Sequence, residues 1–286
     1  MSTYAFVSCM FMGDNYLPGI LVLAYSIFKT KTKYDVVCMV TPDVSEGAKA
    51  KMRKIGIKVE NVEYIYTNSY LDERPSMKGR YPNIHKYSTK WNCLKLTQYK
   101  KIFLLDIDMV VQQNIDRVFE LPAPATRLVL RIPTKKVLLG AVLMMKDGEQ
   151  LPRSVAKKFL YKHGGSIDGG CMLLEPSTKQ YNNFLEYTKV FDPRTFDAEM
   201  TDDEFCLFSF YISQKKKWHY LGIEWSCIEW KYNNLCSSKT ALINNFIGLD
   251  KPWEKDISKW PDLKYWYILY NKLKEKYPEF SDVLKI

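Results

Sequence analysis

Two carboxylates, Asp106 and Asp108, close the apolar run Lys101-Ile102-Phe103-Leu104-Leu105. The Asp-x-Asp triplet alone says little. With 17 Asp in 286 residues, about one such triplet arises by chance, as with any short motif. Its position says more. A buried strand does not end in two unpaired carboxylates unless something offsets their charge. In an extended segment, residues i and i+2 point to one side. Both carboxylates can then face one hard cation, Mn²⁺ or Mg²⁺, that bridges a diphosphate. A capping Asp beside a surface Asp fits the same spacing, and spacing alone leaves both readings open.

The surrounding elements decide where this pair stands. Residues 4–9 read as a buried strand. Residues 17–28 read as a helix with Leu17, Ile20, Leu21, Ala24, Ile27 and Phe28 on one face. Residues 35–40 form a second, β-branched strand. Ser45 caps a helix to Ile55, which Gly56 stops. Residues 57–66 predict a third strand, 88–98 a short helix and 101–105 a fourth strand. This alternation argues for an α/β fold with a mainly parallel twisted sheet and flanking helices, binding ligands at the strand carboxyl ends. Asp106 and Asp108 lie at such an end. Further on, 137–145 and 171–174 predict strands, and 177–189 and 202–213 predict helices. The polar, basic stretch 147–165 reads as an insertion or mobile loop. Residues 253–267 are rich in aromatics, and a helix follows to Lys276.

Composition narrows the function classes. Hydrophobic residues make up 47% of the chain, enough for a sizeable core and against wholesale disorder. The net charge of +10 favours an anionic partner such as a phosphate. Lysine runs at 29–33, 49–54, 157–158 and 215–217 read as solvated faces. No nucleic-acid-binding signature accompanies them, so nucleic acid is not the expected partner. The 7 Cys are an odd number, irregularly spaced and without Cys-x-x-Cys. That argues against zinc and a disulfide framework, and for a reducing compartment. The apolar stretch 20–28 is too short for a membrane span and lacks the basic flank of a signal peptide. A cytoplasmic, non-secreted protein is the expectation.

Several blocks then occur in an informative order. Ala5-Phe6-Val7 is followed by Asp14-Asn15-Tyr16-Leu17-Pro18-Gly19 and Leu21-Val22-Leu23. Thr89-Lys90-Trp91-Asn92-Cys93-Leu94-Lys95 leads into the Asp106/Asp108 strand, and Asn114-Ile115-Asp116-Arg117-Val118-Phe119 comes after it. Asp168-Gly169-Gly170 precedes an apolar strand and Glu175-Pro176-Ser177. Asp202-Asp203-Glu204 comes next, and the last block is Asn245-Phe246-Ile247-Gly248-Leu249-Asp250-Lys251-Pro252-Trp253. Together they resemble the glycogenin-like members of glycosyltransferase family 8, and among these the variants encoded by large DNA viruses of insects.

The resemblance implies a GT-A fold over residues 1–286, with a nucleotide-binding half at 1–120, a sugar and acceptor half at 121–255 and an aromatic-rich C-terminal helix at 256–286. It implies a nucleotide-diphosphate sugar donor, UDP-glucose or UDP-galactose being favoured, with Mn²⁺ or Mg²⁺ as cofactor and retention of anomeric configuration. The acceptor, a saccharide, protein or small molecule, stays open, as does a homodimer. For a viral chain the location becomes the host cytoplasm. Asp106 and Asp108 would hold the metal, and Tyr16 would stack on uracil. Lys251 would reach a phosphate, and Lys90 the donor sugar or phosphate. Arg80 pairs with phosphate in the same scheme, and Ile107, Gly169, Gly170 and Gly248 line the donor site. Asp168 and Asp203 would bind sugar hydroxyls in a polar-x-Gly turn and an acidic pair respectively. Asp203 or Glu204 would stabilise an oxocarbenium-like centre. One position departs from the family: Asn245, or Asn244 if the block slips by one, stands where a metal-binding His is expected. An amide oxygen binds a hard cation more weakly than His suits Mn²⁺. A catalytically weak sugar-nucleotide binder is therefore the second reading.

Overall fold

Strand-forming runs and capped helices alternate along this computed structural model, which describes residues 2–67, 83–129, 145–163, 166–192, 202–228, 237, 239–247, 251–254 and 263–283. In chain order the elements are β1 (Tyr4–Met10), α1 (Leu17–Lys29), β2 (Asp35–Val40), α2 (Glu46–Lys54), β3 (Lys58–Asn61) and a 3₁₀ helix (Ile84–Lys95). Next come β4 (Lys101–Leu105), β5 (Met109–Val111), β6 (Ala125–Val129), β7 (Gln150–Leu151), α3 (Arg153–His163) and β8 (Ser166–Leu174). α4 (Thr178–Val190), α5 (Asp202–Ser213), β9 (Trp218–Tyr220), β10 (Ile243–Asn245) and α6 (Lys264–Lys276) complete the chain. Contacts divide it into two compact units. The first is Met1–Val62, Leu105–Val118 and Ile223–Ile286, and the second is Glu63–Leu104 and Phe119–Gly222.

In the first unit β1, β2 and β3 pair in parallel, with Val7 opposite Val37 and Val37 opposite Lys58. β10 pairs antiparallel with β5. Helix α1 is buried on more than the one face its pattern predicts, because Val22, Leu23 and Ser26 are covered too. Ser26 explains the tolerance for a polar residue there: its hydroxyl donates to Leu23 O at 2.6 Å and accepts from Val111 N at 3.0 Å. Ser45 caps α2 by accepting from Ala48 N at 3.1 Å, and Gly56 supplies the left-handed φ of +102° that ends it.

The second unit carries strands in the order β4-β8-β6-β9-β7. Here the sheet is mixed: β6 runs antiparallel to β8 and parallel to β9, and β7 runs antiparallel to β9. Three expectations change. The stretch 147–165 is no loop, since it holds β7 and α3. Ala156 and Leu160, four apart on α3, are buried, a short apolar stripe hidden in the sequence by the lysines around it. The strand expected over 57–66 stops at Asn61. Beyond it, side chains of the 3₁₀ helix take over the backbone: Asn92 Nδ2 donates to Glu63 O at 2.8 Å, and Ile65 N donates to Thr89 Oγ1 at 3.2 Å. Finally, Asp168-Gly169-Gly170 is not a turn between elements but part of β8. Thr126 faces Met172 and Leu128 faces Ile167, so Arg127 alone opposes the stretch from Asp168 to Cys171. That surplus is a β-bulge, a device that re-aims side chains within a strand. The strand expected over 137–145 lies outside the described residues except for Met145.

Cysteine chemistry also departs from the expectation of reduced thiols throughout. Cys9, Cys38, Cys93, Cys171 and Cys206 are free, but Cys227 is disulfide-bonded. Counting and spacing cannot exclude a single bridge, because pairing depends on Cα separation in the folded chain. Burial pushes the Cys38 thiol up to about 12, so that thiol is inert at neutral pH.

Candidate functional site

The first unit positions the acidic pair. Ser8 of β1 donates its hydroxyl to Leu105 O at 2.8 Å, holding the end of β4. The chain then leaves the strand, so Asp106, Ile107 and Asp108 are not extended as the spacing argument assumed: Ile107 and Asp108 lie in a turn. Ile107 points its side chain into the core. A Cβ placed on Gly19 would stand 2.6 Å from Ile107 Cγ2 and 2.5 Å from Trp253 Cζ3. Gly19 therefore lets α1 approach the acidic turn and the Trp253 ring. Gly19→Ala is expected to lower stability by about 1–3 kcal/mol, the usual cost of overpacking a filled core, read as a lower urea midpoint at unchanged slope.

Asp108 is buried, and its Oδ2 accepts from Lys251 Nζ at 2.7 Å. Burial disfavours the Lys251 ammonium, yet the charge and hydrogen bond of Asp108 outweigh that and raise its pKa, helped by Tyr16 and Asp106. Lys251 thus stays a cation. Tyr16, the residue before α1, packs edge-on against Trp253 with ring centroids 5.4 Å apart. Burial raises its pKa; Lys251 opposes this, while Asp108, Glu254 and Asp106 reinforce it. Tyr16 is therefore neutral.

Strand β10 brings Asn245 to the same place. Asn245 pairs with Met109, and Phe246 N donates to Asp108 O at 3.0 Å. The Asn245 amide nitrogen donates to Ser226 Oγ at 3.0 Å. This leaves its buried Oδ1 without a hydrogen-bond donor among the described residues. No three His, Cys, Asp or Glu side chains form a metal-binding group among the described residues. Two carboxylates and one amide oxygen nevertheless make a set of hard oxygen donors that suits Mg²⁺ or Mn²⁺. Arg80 and Gly248 lie outside the described residues.

The second unit holds the other candidates in one buried group. Arg127 of β6 grips Asp168 in the β8 bulge, donating from Nη2 at 2.7 Å and from Nε at 3.1 Å to Oδ2. Gly170 N donates to Asp168 Oδ1 at 3.1 Å. Lys90 Nζ lies 3.0 Å from Asp203 Oδ2. This is an ion pair without hydrogen-bond alignment, since neither Asp203 oxygen accepts a hydrogen bond among the described residues. Gly169 N donates to Glu204 Oε1 at 3.0 Å. Burial first, then the Asp203 charge, raises the Glu204 pKa well above the usual range; Lys90 opposes and Asp168 reinforces. Because its folded value lies above the unfolded one, the stability Glu204 contributes is complete below the ordinary Glu range. That contribution is lost as pH rises through the folded value.

Arg127 and Ser226 went unnoticed in the sequence. Arg127 carried a signal: a lone charge inside the apolar strand Ala-Thr-Arg-Leu-Val must be paired if buried. Ser226 carried none.

The fold is that of the GT-A glycosyltransferases, as solved structures of such enzymes show. The solved structure of the galactosyltransferase LgtC with donor and acceptor sugar analogs matches at a TM-score of 0.55 and 16% identity, over 94% of this chain and 95% of that one. The glycosyltransferase GlyE of Streptococcus pneumoniae matches at a TM-score of 0.56 and 12% identity, over 95% of this chain and 63% of that one. Residues 9–257 match glycosyl transferase family 8, and the chain belongs to that family. It is 36% identical to the uncharacterized protein R707 of Acanthamoeba polyphaga mimivirus, over 64% of this chain and 59% of that protein. It is 28% identical to galactinol synthase 3 of Arabidopsis thaliana, over 67% of this chain and 57% of that protein. The chain thus spans less than two thirds of the length of these relatives.

Proposed function

We propose that this chain transfers a hexose from a UDP-sugar, UDP-glucose or UDP-galactose, to an acceptor with retention of configuration and with the help of a divalent cation. The observation that carries the reading is the Lys251–Asp108 pair at 2.7 Å. Both charges are largely buried, and each is what one part of a metal–diphosphate ligand needs. A phosphate takes the ammonium as a point-charge partner. Asp106, Asp108 and the open Oδ1 of Asn245 would hold the cation. When bound, it compensates the negative charge growing on the diphosphate leaving group. Tyr16 supplies an aromatic face for the base. In the second unit, Asp168 and Asp203 offer carboxylates, Lys90 pairs with Asp203, and Gly169 packs against Glu204 and Lys90. These are groups suited to sugar hydroxyls. The acceptor's identity stays open.

Hydrolysis of UDP-glucose, UDP-galactose, UDP-glucuronate and UDP-N-acetylglucosamine, with and without Mn²⁺, tests the reading. Metal-dependent release of UDP from one hexose donor supports it. Asn245 in place of His favours one alternative, a sugar-nucleotide binder with little turnover. That alternative predicts saturable donor binding and no hydrolysis above the metal-only blank. Cytoplasmic location belongs to the proposal as well. No helix among the described residues is long and apolar enough to cross a membrane.

Lys251→Ala separates phosphate recognition from packing. A charge-assisted hydrogen bond contributes about 1.5–3 kcal/mol, so UDP affinity is expected to fall roughly 10- to 100-fold with uridine affinity unchanged. Equal losses for both, measured by calorimetry, would show that Lys251 acts only through the fold.

A further inference from the structure

Among the described residues, the largely buried group of the second unit holds three carboxyls and two cations. Arg127 binds Asp168, and Lys90 pairs with Asp203. Glu204, the next residue of α5, has no cation within ion-pair distance among the described residues. Its two oxygens differ. Oε1 accepts the Gly169 N–H at 3.0 Å. Oε2 is buried and has no hydrogen-bond partner among the described residues. The packing is close as well. A Cβ on Gly169 would stand 2.8 Å from Glu204 Cγ and 3.1 Å from Lys90 Nζ, so only glycine lets the β8 bulge lie against this carboxyl.

A carboxyl whose one oxygen accepts an N–H keeps any proton on the other. Burial and the neighbouring Asp203 and Asp168 charges hold that proton on Glu204, and Lys90 alone among the named causes favours its loss besides the Gly169 N–H. Oε2–H is then a donor with no acceptor among the described residues. A buried donor left unpaired is costly, and hydroxyl oxygens of a hexose are acceptors.

We propose that Glu204 recognises the donor sugar as a neutral acid, with Oε2–H donating a hydrogen bond to a hydroxyl oxygen of the hexose. This rests on the reading of the second unit as sugar-binding. It differs from the expectation that Glu204 stabilises a cationic centre, which needs a carboxylate. Asp168 and Asp203 each have a basic partner, Arg127 and Lys90 respectively.

The test is calorimetry of UDP and UDP-hexose binding to wild type, Glu204→Gln and Glu204→Ala, from about pH 6 to about pH 9, spanning the range above the ordinary Glu value. The quantity read is the affinity for UDP-hexose relative to UDP. Glu204→Gln keeps an acceptor at Oε1 and places an N–H at Oε2. It is expected to stay within about threefold of wild type at the acid end and to show no pH dependence arising from residue 204. Glu204→Ala is expected to lose about tenfold, the worth of one neutral hydrogen bond, with UDP affinity unchanged. Wild type should lose its sugar increment as pH rises. Glu204→Gln failing as badly as Glu204→Ala, with wild-type binding intact, overturns the inference alone. A wild-type increment that grows with pH does the same.

Infrared difference spectra of wild type against Glu204→Gln supply a readout that does not depend on the donor. A protonated-carboxyl band at neutral pH, lost in the variant, is expected. Its absence from wild type overturns the neutral acid. A wild type that binds no UDP-hexose overturns the functional reading and the sugar role together.

Discussion

Asp108→Asn is expected to abolish metal-dependent binding of a UDP-sugar and to lower transfer by roughly three orders of magnitude, the equivalent of several kcal/mol of lost charge stabilisation. The substitution keeps the side-chain shape and one acceptor for Lys251 but removes an anionic ligand. It also leaves the buried ammonium without its counter-charge, since Asp108 is the largest of the influences that keep Lys251 protonated. Stability should therefore fall too, by about 1–3 kcal/mol. The two effects separate in Asp108→Asn/Lys251→Met. There the charge mismatch is gone, stability returns toward wild type, and metal-dependent binding stays lost. Calorimetry with Mn²⁺ and UDP, beside urea unfolding of both variants, reads the difference. Wild-type turnover by Asp108→Asn would remove the metal assignment.

Arg127→Met should be the most destabilising single change at the candidate site. Arg127 and Asp168 have side-chain exposures of 4% and 7%, so removing the guanidinium strands a buried carboxylate. Breaking one side of such a pair costs about 3–5 kcal/mol, which lowers Tm by roughly 6–20 °C in a chain near this size. Asp168→Asn in the same background should recover much of the loss, because a neutral amide needs no cation. If Arg127→Met melts like wild type, other contacts suffice to hold the bulge, among them the Thr126 hydroxyl, which lies 3.0 Å from Asp168 O and 2.9 Å from Cys171 O.

Much of the first unit was legible in the sequence because its signals are local. The strand at Tyr4–Met10, the Ser45 cap and the Gly56 stop each follow from a few neighbouring residues. The acidic pair was legible for its place after an apolar run. What the sequence did not reveal depends on pairing across long separations. The β8 bulge places Arg127 alone opposite four residues of the neighbouring strand; Gly169-Gly170 hints at an irregular strand, but the partner that sets the mismatch lies some forty residues away. Helix α3 was hidden because two buried residues, Ala156 and Leu160, sit among lysines. The third metal donor was proposed from an alignment of blocks. In the fold the Asn245 amide nitrogen donates to Ser226 Oγ, and its Oδ1 has no hydrogen-bond partner among the described residues.

The first unit is assembled from three separate stretches of chain, and that sets a timetable for its birth on the ribosome. Asp108 emerges 143 residues before Lys251, its ion-pair partner, and Tyr16 emerges earlier still. Until the last stretch arrives, α1 lacks the Trp253 ring that Gly19 was shaped to meet, and Asp108 lacks Lys251. Domains that close early in synthesis fold as they appear, but this unit must wait while the central part of the second is made. Long-range closure of this kind slows folding and leaves apolar surface waiting for a partner. The nascent chain is therefore most in need of protection in the interval between residue 118 and residue 223, when its first unit is begun and cannot be finished.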